Sequence, residues 1–149
     1  MYSTILVPLD GSKRAEAILS HVEKMAIKFG ARVVLLTCVE QKLAYPGDLE
    51  VSAMARTDDD MVQQTQGAES YLHEVQTKLE QQGIRVSTTL MQGQPVEAIL
   101  AVAAQENADL IAIASHGRSG LGRVFYGSVA AGILQRVDRP LLIIRAPEG

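Results

Sequence analysis

Hydrophobic residues in this 149-residue chain fall into short unbroken runs, separated by longer stretches in which they recur every three or four positions. Thr4-Ile5-Leu6-Val7-Pro8-Leu9 is a run of the first kind, the pattern of a strand covered on both faces, and Asp10-Gly11-Ser12 behind it is a turn and helix-start signal. Ala15, Ile18, Leu19, Val22, Ala26 and Phe29 then keep helical spacing up to Gly30, which suits a left-handed cap. Arg32 to Val39 predicts a second buried strand. From Glu40 to about Gln66 no dependable period appears, and a gap that long in a compact domain suits a lid, a binding segment or a disordered piece.

Periodicity returns with Ala68, Leu72, Val75 and Leu79, a helix ending at Gly83. Ile84 to Met91 alternates as a strand and leads into Gly93-Gln94-Pro95, where proline opens the next helix. Val96, Ile99, Leu100 and Ala103 form that helix's inner stripe and Asn107 closes it. Leu110-Ile111-Ala112-Ile113-Ala114 is the most strand-like run in the chain. Val129, Ile133 and Val137 give a last helix its inner face, Asp138-Arg139-Pro140 breaks it, and Leu141-Leu142-Ile143-Ile144 is a final strand.

Five strands alternating with four helices predict an α/β fold: an open, mostly parallel five-stranded sheet with helices on both faces, because parallel neighbours need long crossovers. Residues 1–149 suit one domain with a sizeable core, and 47% apolar against 21% charged residues is ordinary globular composition. A net charge of −3 argues against a nucleic-acid binder held by a broad basic surface. No apolar run reaches the roughly 20 residues of a membrane helix. The N-terminus enters a strand pattern at once, so a cytoplasmic location is expected. The single cysteine, Cys38, excludes an internal disulfide and reads as a small buried hydrophobe rather than a reactive thiol.

Ligands of open parallel sheets bind beyond the carboxyl ends of the strands, where strand order reverses. Asp10, Cys38-Val39 and the loop Ala114–Ser128 occupy such ends, and they converge on one crevice if the first and fourth strands are neighbours. The loop carries Gly117, Gly120, Gly122 and Gly127 with Arg118 and Arg123, and it runs into a helix opening at Ser128, whose first N–H groups favour an anion. It lacks the glycine-lysine-serine/threonine ending of an ordinary P-loop. Each residue here has a plainer alternative. Asp10 is either a ligand-reading carboxylate or an acidic turn residue; Ser128 either meets phosphate or caps its helix. Arg118 and Arg123 either offset phosphate charge or are solvated. His116 has no convincing acid–base or metal partner in sequence. Asp58-Asp59-Asp60 reads as dipole-compensating surface charge ahead of a helix rather than a metal site.

Ile-Leu-Val-Pro-Leu-Asp-Gly-Ser at the start, Ala-Ser-His-Gly117 followed after nine residues by Gly127-Ser128, and Arg-Pro-Leu-Leu-Ile-Ile at the end together resemble the universal stress protein family over essentially the whole chain. The resemblance implies an adenine nucleotide alpha hydrolase-like, Rossmann-like open sheet. It places the chain with the family's nucleotide-binding branch, and it implies a stress-response protein that holds ATP or AMP, with Mg or Mn accompanying ATP. On that likeness Pro8, Leu9 and Asp10 border the adenine with Cys38 beside the base. Ala114, Ser115, His116, Gly117, Arg118, Ser119 and Gly120 wrap the ribose and first phosphate; Gly127, Ser128, Val129 and Ala130 supply phosphate donors. Alanine 114 stands where the branch has its first glycine, a methyl group tolerable unless the position needs positive φ. The resemblance also implies a homodimer through the C-terminal strand, Pro140–Arg145, and a regulatory protein partner. A nucleotide-dependent sensor is the leading reading, with no catalytic residue and no metal ligand assigned; a slow ATPase or other phosphate-transfer enzyme is the alternative, for which no dependable general base is visible. A phospho-accepting receiver is excluded, since it wants an aspartate where this chain has Met91-Gln92-Gly93.

Overall fold

The computed structural model describes residues 1–39, 51–115 and 127–146, with the backbone alone for 51–60 and for Gly127. Its elements run β1 (Thr4–Pro8), α1 (Leu19–Phe29), β2 (Arg32–Val39), α2 (Val51–Gln81), β3 (Val86–Gln92), α3 (Pro95–Gln105), β4 (Leu110–Ser115), α4 (Gly127–Arg136) and β5 (Leu141–Arg145). All neighbouring strands are parallel, in the order β3-β2-β1-β4-β5. The chain starts in the middle of the sheet, winds outward to β3, then returns to the far side of β1.

Alternation along the inner strands builds two cores. Ile5, Val7, Val33, Leu35, Leu110 and Ala112 face α1 and α2, which contribute Val22, Ala26, Leu72, Val75 and Leu79. Leu6, Val34, Leu36, Ile111 and Ile113 face α3 and α4, which contribute Ile99, Val102, Ala103 and Ile133. Ile5, Leu6 and Val7 are wholly buried, each worth about 1.5–3 kcal/mol relative to exposure. This accounts for the unbroken apolar runs: a central strand has no solvent face.

Local chemistry sets the helix ends. A 3-10 turn, Ala15–Ile18, precedes α1, and its entry is organised by Ser12, whose Oγ accepts the Ala15 N–H at 3.1 Å. Gly30 closes α1 at φ 65°, donating its N–H to the Ala26 carbonyl. Asn107 ends α3 in the same left-handed region, at φ 52°.

One expectation fails. The segment from Glu40 to Gln66 is not one irregular gap: α2 already runs from Val51, so residues 51–66 are helical and Asp58, Asp59 and Asp60 lie inside the helix rather than ahead of it. From Met61 to Ser70 no residue of this helix is buried. Only Met61, Thr65 and Ala68 are half-buried there, in line with the buried Leu72, Val75 and Leu79 further on. Residues 40–50 lie outside the described residues. Among the described residues no helix is long and apolar enough to cross a membrane.

Candidate functional site

The strand order reverses between β1 and β4. Register there extends over only two pairs, Ile5 with Leu110 and Leu6 with Ile111, whereas β1 pairs with β2, and β4 with β5, over five positions each. The two central strands therefore part towards their carboxyl ends, and a crevice opens at the topological switch point.

An apolar cleft of about 140 Å³ occupies that opening, lined by Pro8, Leu9 and Asp10 from the end of β1, Leu36 and Cys38 from β2, Ala114 and Ile113 from β4, Pro95 and Ile99 from α3, and Val129 from α4. A dry cavity of about 150 Å³ admits a benzene-sized ring. The cleft is thus of the scale that takes a flat aromatic group, in full or along one edge. It shares Asp10, Cys38, Pro95 and Val129 with a second compartment of about 640 Å³, whose outer wall is α2 through Gln64, Gly67, Ala68 and Tyr71, and whose lining includes Gly11, Thr37 and Val39.

The polar groups around these cavities are tied to the frame. Asp10 Oδ1 accepts the Ser12 N–H at 2.9 Å and the Ser12 hydroxyl at 2.6 Å. Asp10 is therefore a turn-shaping residue, and the same carboxylate borders both cavities. The Thr37 hydroxyl, 7% exposed, donates to the Leu9 carbonyl at 3.0 Å and pins the end of β1 against β2. Cys38 is half-buried rather than buried, and its thiol donates to the Gly93 carbonyl at 3.1 Å. Gly93 stands at φ 122° and donates its N–H to Val39 at 3.1 Å, so the β3–α3 turn is held to the end of β2. The Tyr71 hydroxyl donates to Glu16 at 3.1 Å, tying α2 to the 3-10 turn. Burial, the Glu16 charge and the hydrogen bond to it, with Asp10 beyond, hold the Tyr71 phenol well above the ordinary tyrosine range.

Six of the residues singled out in the sequence thus meet around one cleft: Pro8, Leu9, Asp10, Cys38, Ala114 and Val129. Ala114 is an ordinary residue of β4, paired with Ile144, and it is absent from the positive-φ residues of the described chain. Ser115 is 3% exposed and turns away into the sheet, its hydroxyl donating to the Ile144 carbonyl at 3.4 Å and its carbonyl accepting from Ala146 at 3.0 Å. Ser128 is exposed in the first turn of α4 and Ala130 is buried beneath it. The N–H groups of that turn have no partner within their own helix. His116, Gly117, Arg118, Ser119 and Gly120, with Gly122 and Arg123, lie outside the described residues. Thr37 and Tyr71 were not among the candidates read from the sequence. A threonine within an otherwise apolar strand, which must find a hydrogen-bond partner once buried, was the available signal for the first. Among the described residues no group of three or more His, Cys, Asp or Glu side chains is placed to hold a metal ion.

Sheet order, switch-point crevice and helix layers together define a doubly wound α/β protein with a cleft at its centre. Residues 1–145 match the universal stress protein family, and the chain belongs to it. A universal stress protein of Thermus aquaticus is 29% identical over 145 residues, spanning 97% of this chain and 100% of its own. Universal stress protein MJ0577 of Methanocaldococcus jannaschii is 26% identical over 155 residues, spanning 97% and 96%. The solved structure of MJ0577 aligns with a TM-score of 0.86 over 100% of this chain and 99% of that one. A universal stress protein of Archaeoglobus fulgidus solved in complex with dAMP has the same fold, with a TM-score of 0.66 at 21% identity over 96% and 98% of the two chains.

Proposed function

We propose that this protein is an adenine-nucleotide-binding stress-response module that holds ATP or AMP in the crevice between β1 and β4. The observation that carries the reading is the apolar cleft at the switch point, open beside the first turn of α4. The residues fit the ligand's two halves. Leu9, Leu36, Ile99 and Ile113 offer an aromatic ring dry surface, and the amino end of α4 offers a phosphate N–H donors and a partial positive charge. His116 to Gly120, Gly127 and Ser128 are assigned to ribose and phosphate by the family pattern. The dAMP complex of the Archaeoglobus fulgidus relative supports the choice of an adenine nucleotide.

The module acts as a sensor: occupancy changes its preference for a regulatory partner in the cytoplasm. It assembles as a homodimer through β5. That strand is one of the sheet's two edges, and Leu141, Leu142, Ile143 and Ile144 on it are all partly exposed. An apolar edge of this kind is stabilised by pairing with a second copy.

Calorimetric titration with ATP and with AMP, in the presence and absence of Mg, tests the binding reading; the expected result is saturable binding at one site per chain. Product analysis over hours tests the sensor reading, and turnover faster than about one per second, the low end of ordinary enzymes, would make this an enzyme instead. A monomeric mass by light scattering would refute the dimer.

A further inference from the structure

One face of α2 forms the outer wall of the larger compartment, where Gln64, Gly67, Ala68 and Tyr71 recur at helical spacing. That face crosses a boundary within the helix. From Met61 onwards its buried residues are Leu72, Val75 and Leu79. The side-chain hydrogen bonds that fasten it to other elements, Tyr71 to Glu16 and Gln76 to the Val86 carbonyl at 3.1 Å each, begin at Tyr71. Ahead of Tyr71 the helix rests on the half-buried Met61, Thr65 and Ala68, with a single large apolar side chain among them. The wall is thus anchored at one end and lightly held at the other.

Gly67 stands at that boundary, one turn before Tyr71. A Cβ built on it meets nothing within 4 Å, and it is absent from the positive-φ glycines, so neither packing nor backbone geometry calls for a glycine there. Glycine inside a helix nevertheless favours opening about fivefold over alanine. The helix is therefore weakest where it leaves its anchor. Resting on the nucleotide reading above, we propose that Gly67 is the hinge of a gate: residues 61–66 swing away from the compartment by local opening of the helix at Gly67, and the ligand enters and leaves through that opening. The two cavities meet at Asp10, Cys38, Pro95 and Val129, so withdrawing Gln64 from the outer wall clears a way to the apolar cleft from the α2 side. Tyr71, held by Glu16, is the fixed post of the gate.

Two measurements on the full chain test it. Native-state amide exchange needs no ligand: opening at Gly67 breaks the helical hydrogen bonds that span it, so the amides of residues 68–71 should exchange at least about tenfold faster than those of Val75 to Leu79. Gly67→Ala, which the open space around position 67 admits, should slow the amides of 68–71 about fivefold. Stopped-flow binding of N-methylanthraniloyl-AMP reads the gate itself. In Gly67→Ala, association and dissociation should both slow about fivefold while the affinity stays within about twofold. His73→Ala, an exposed change that also favours helix but lies in the anchored half, should alter neither rate. A glycine kept only as room for the ligand would instead lose affinity on substitution, through faster dissociation. The proposal is overturned by exchange at 68–71 as slow as at Val75 to Leu79, by Gly67→Ala rates within about twofold of the unaltered protein, or by an affinity changed about fivefold or more. A protein that binds neither the labelled nucleotide nor AMP overturns the nucleotide reading and the gate with it, and the exchange contrast then decides by itself whether the hinge exists.

Discussion

Gly132 of α4 lies so close to Val96 of α3 that a Cβ at position 132 would stand 2.7 Å from Val96 Cγ2. The contact lies between two helices that also share the Arg136–Glu97 ion pair at the surface. Alanine at 132 gains about 1 kcal/mol of helix propensity, but the valine is stiff about χ1, and overpacking costs about 1–3 kcal/mol. Gly132→Ala should therefore be net destabilising by up to about 2 kcal/mol in urea unfolding. Val96→Ala in the same chain should remove that penalty. An alanine that stabilises the chain by itself would show that α3 and α4 separate freely, which the lining of the cleft by Pro95, Ile99 and Val129 makes consequential for binding.

Asp109 fastens the start of β1 from below. Its carboxylate accepts the Ser3 N–H at 2.8 and 3.1 Å and the Thr4 N–H at 3.0 Å, at the end of the sheet opposite the cleft. Hydrogen bonds to a charged acceptor are worth about 1.5–3 kcal/mol each at most, and part of this one is solvent-screened. Asp109→Ala should cost about 1–3 kcal/mol, lowering the urea midpoint with an unchanged slope. Nucleotide affinity should stay as it was, since Ser3, Thr4 and Asp109 line neither of the two cavities described above.

Tyr71 ties its ionisation to stability. Burial first, then the Glu16 charge and hydrogen bond, raise its folded-state pKa above the unfolded value of about 10. The folded protein thus holds the phenol proton more tightly than the unfolded chain. This contribution is fully present below pH ~10 and is lost as the pH rises from there through the folded pKa. Subtracting the alkaline absorbance titration of Tyr71→Phe from that of the unaltered protein should isolate a tyrosine that stays protonated beyond pH ~10 until unfolding. A difference curve centred near the ordinary value would show that Tyr71 is solvated and that its contact with Glu16 is not kept.

The strands were legible because three of the five are runs that water hardly reaches, as Ile5-Leu6-Val7 and Leu110–Ala114 show, and β5 is an unbroken apolar run. The crevice followed from them: once β1 and β4 are neighbours, Asp10, Cys38 and Ala114 must lie at one end of the sheet. The first half of α2 was illegible for the opposite reason. Val62 is 56% exposed and no residue from Met61 to Ser70 is buried; the half-buried positions there, Met61, Thr65 and Ala68, keep helical spacing but include a single large apolar side chain, too weak a hydrophobic period to read. Tyr71 was hidden by the same helix, since it precedes Leu72 on the edge of the buried stripe and becomes a site residue only when α2 is seen to wall the larger cavity. Thr37 was hidden by β-propensity, which makes a threonine unremarked in any strand.

Ala114 decides how far the family's glycine pattern is a steric requirement here. The pattern of the nucleotide-binding branch that this chain resembles has a glycine where this chain carries a methyl group, and a glycine is obligatory only if the backbone is left-handed or the ligand needs the space of the Cβ. The first condition fails: Ala114 pairs with Ile144 in regular parallel register and is absent from the positive-φ residues of the described chain. For the second, its methyl forms part of the cleft wall while 4% exposed, so it shapes the cavity without closing it. Ala114→Gly should then lower stability by about 0.5–1 kcal/mol, the cost of a glycine inside a strand, and change AMP affinity by less than about threefold, which is under 1 kcal/mol. Ala114→Leu is the counterpart. Three added carbons in a cleft of about 140 Å³ fill the space proposed for the base, so binding should be lost while thermal unfolding shows a folded protein. If Ala114→Gly instead raises affinity tenfold or more, the methyl obstructs the ligand, and the chain carries a site weakened at the position where the nucleotide-binding pattern has its first glycine.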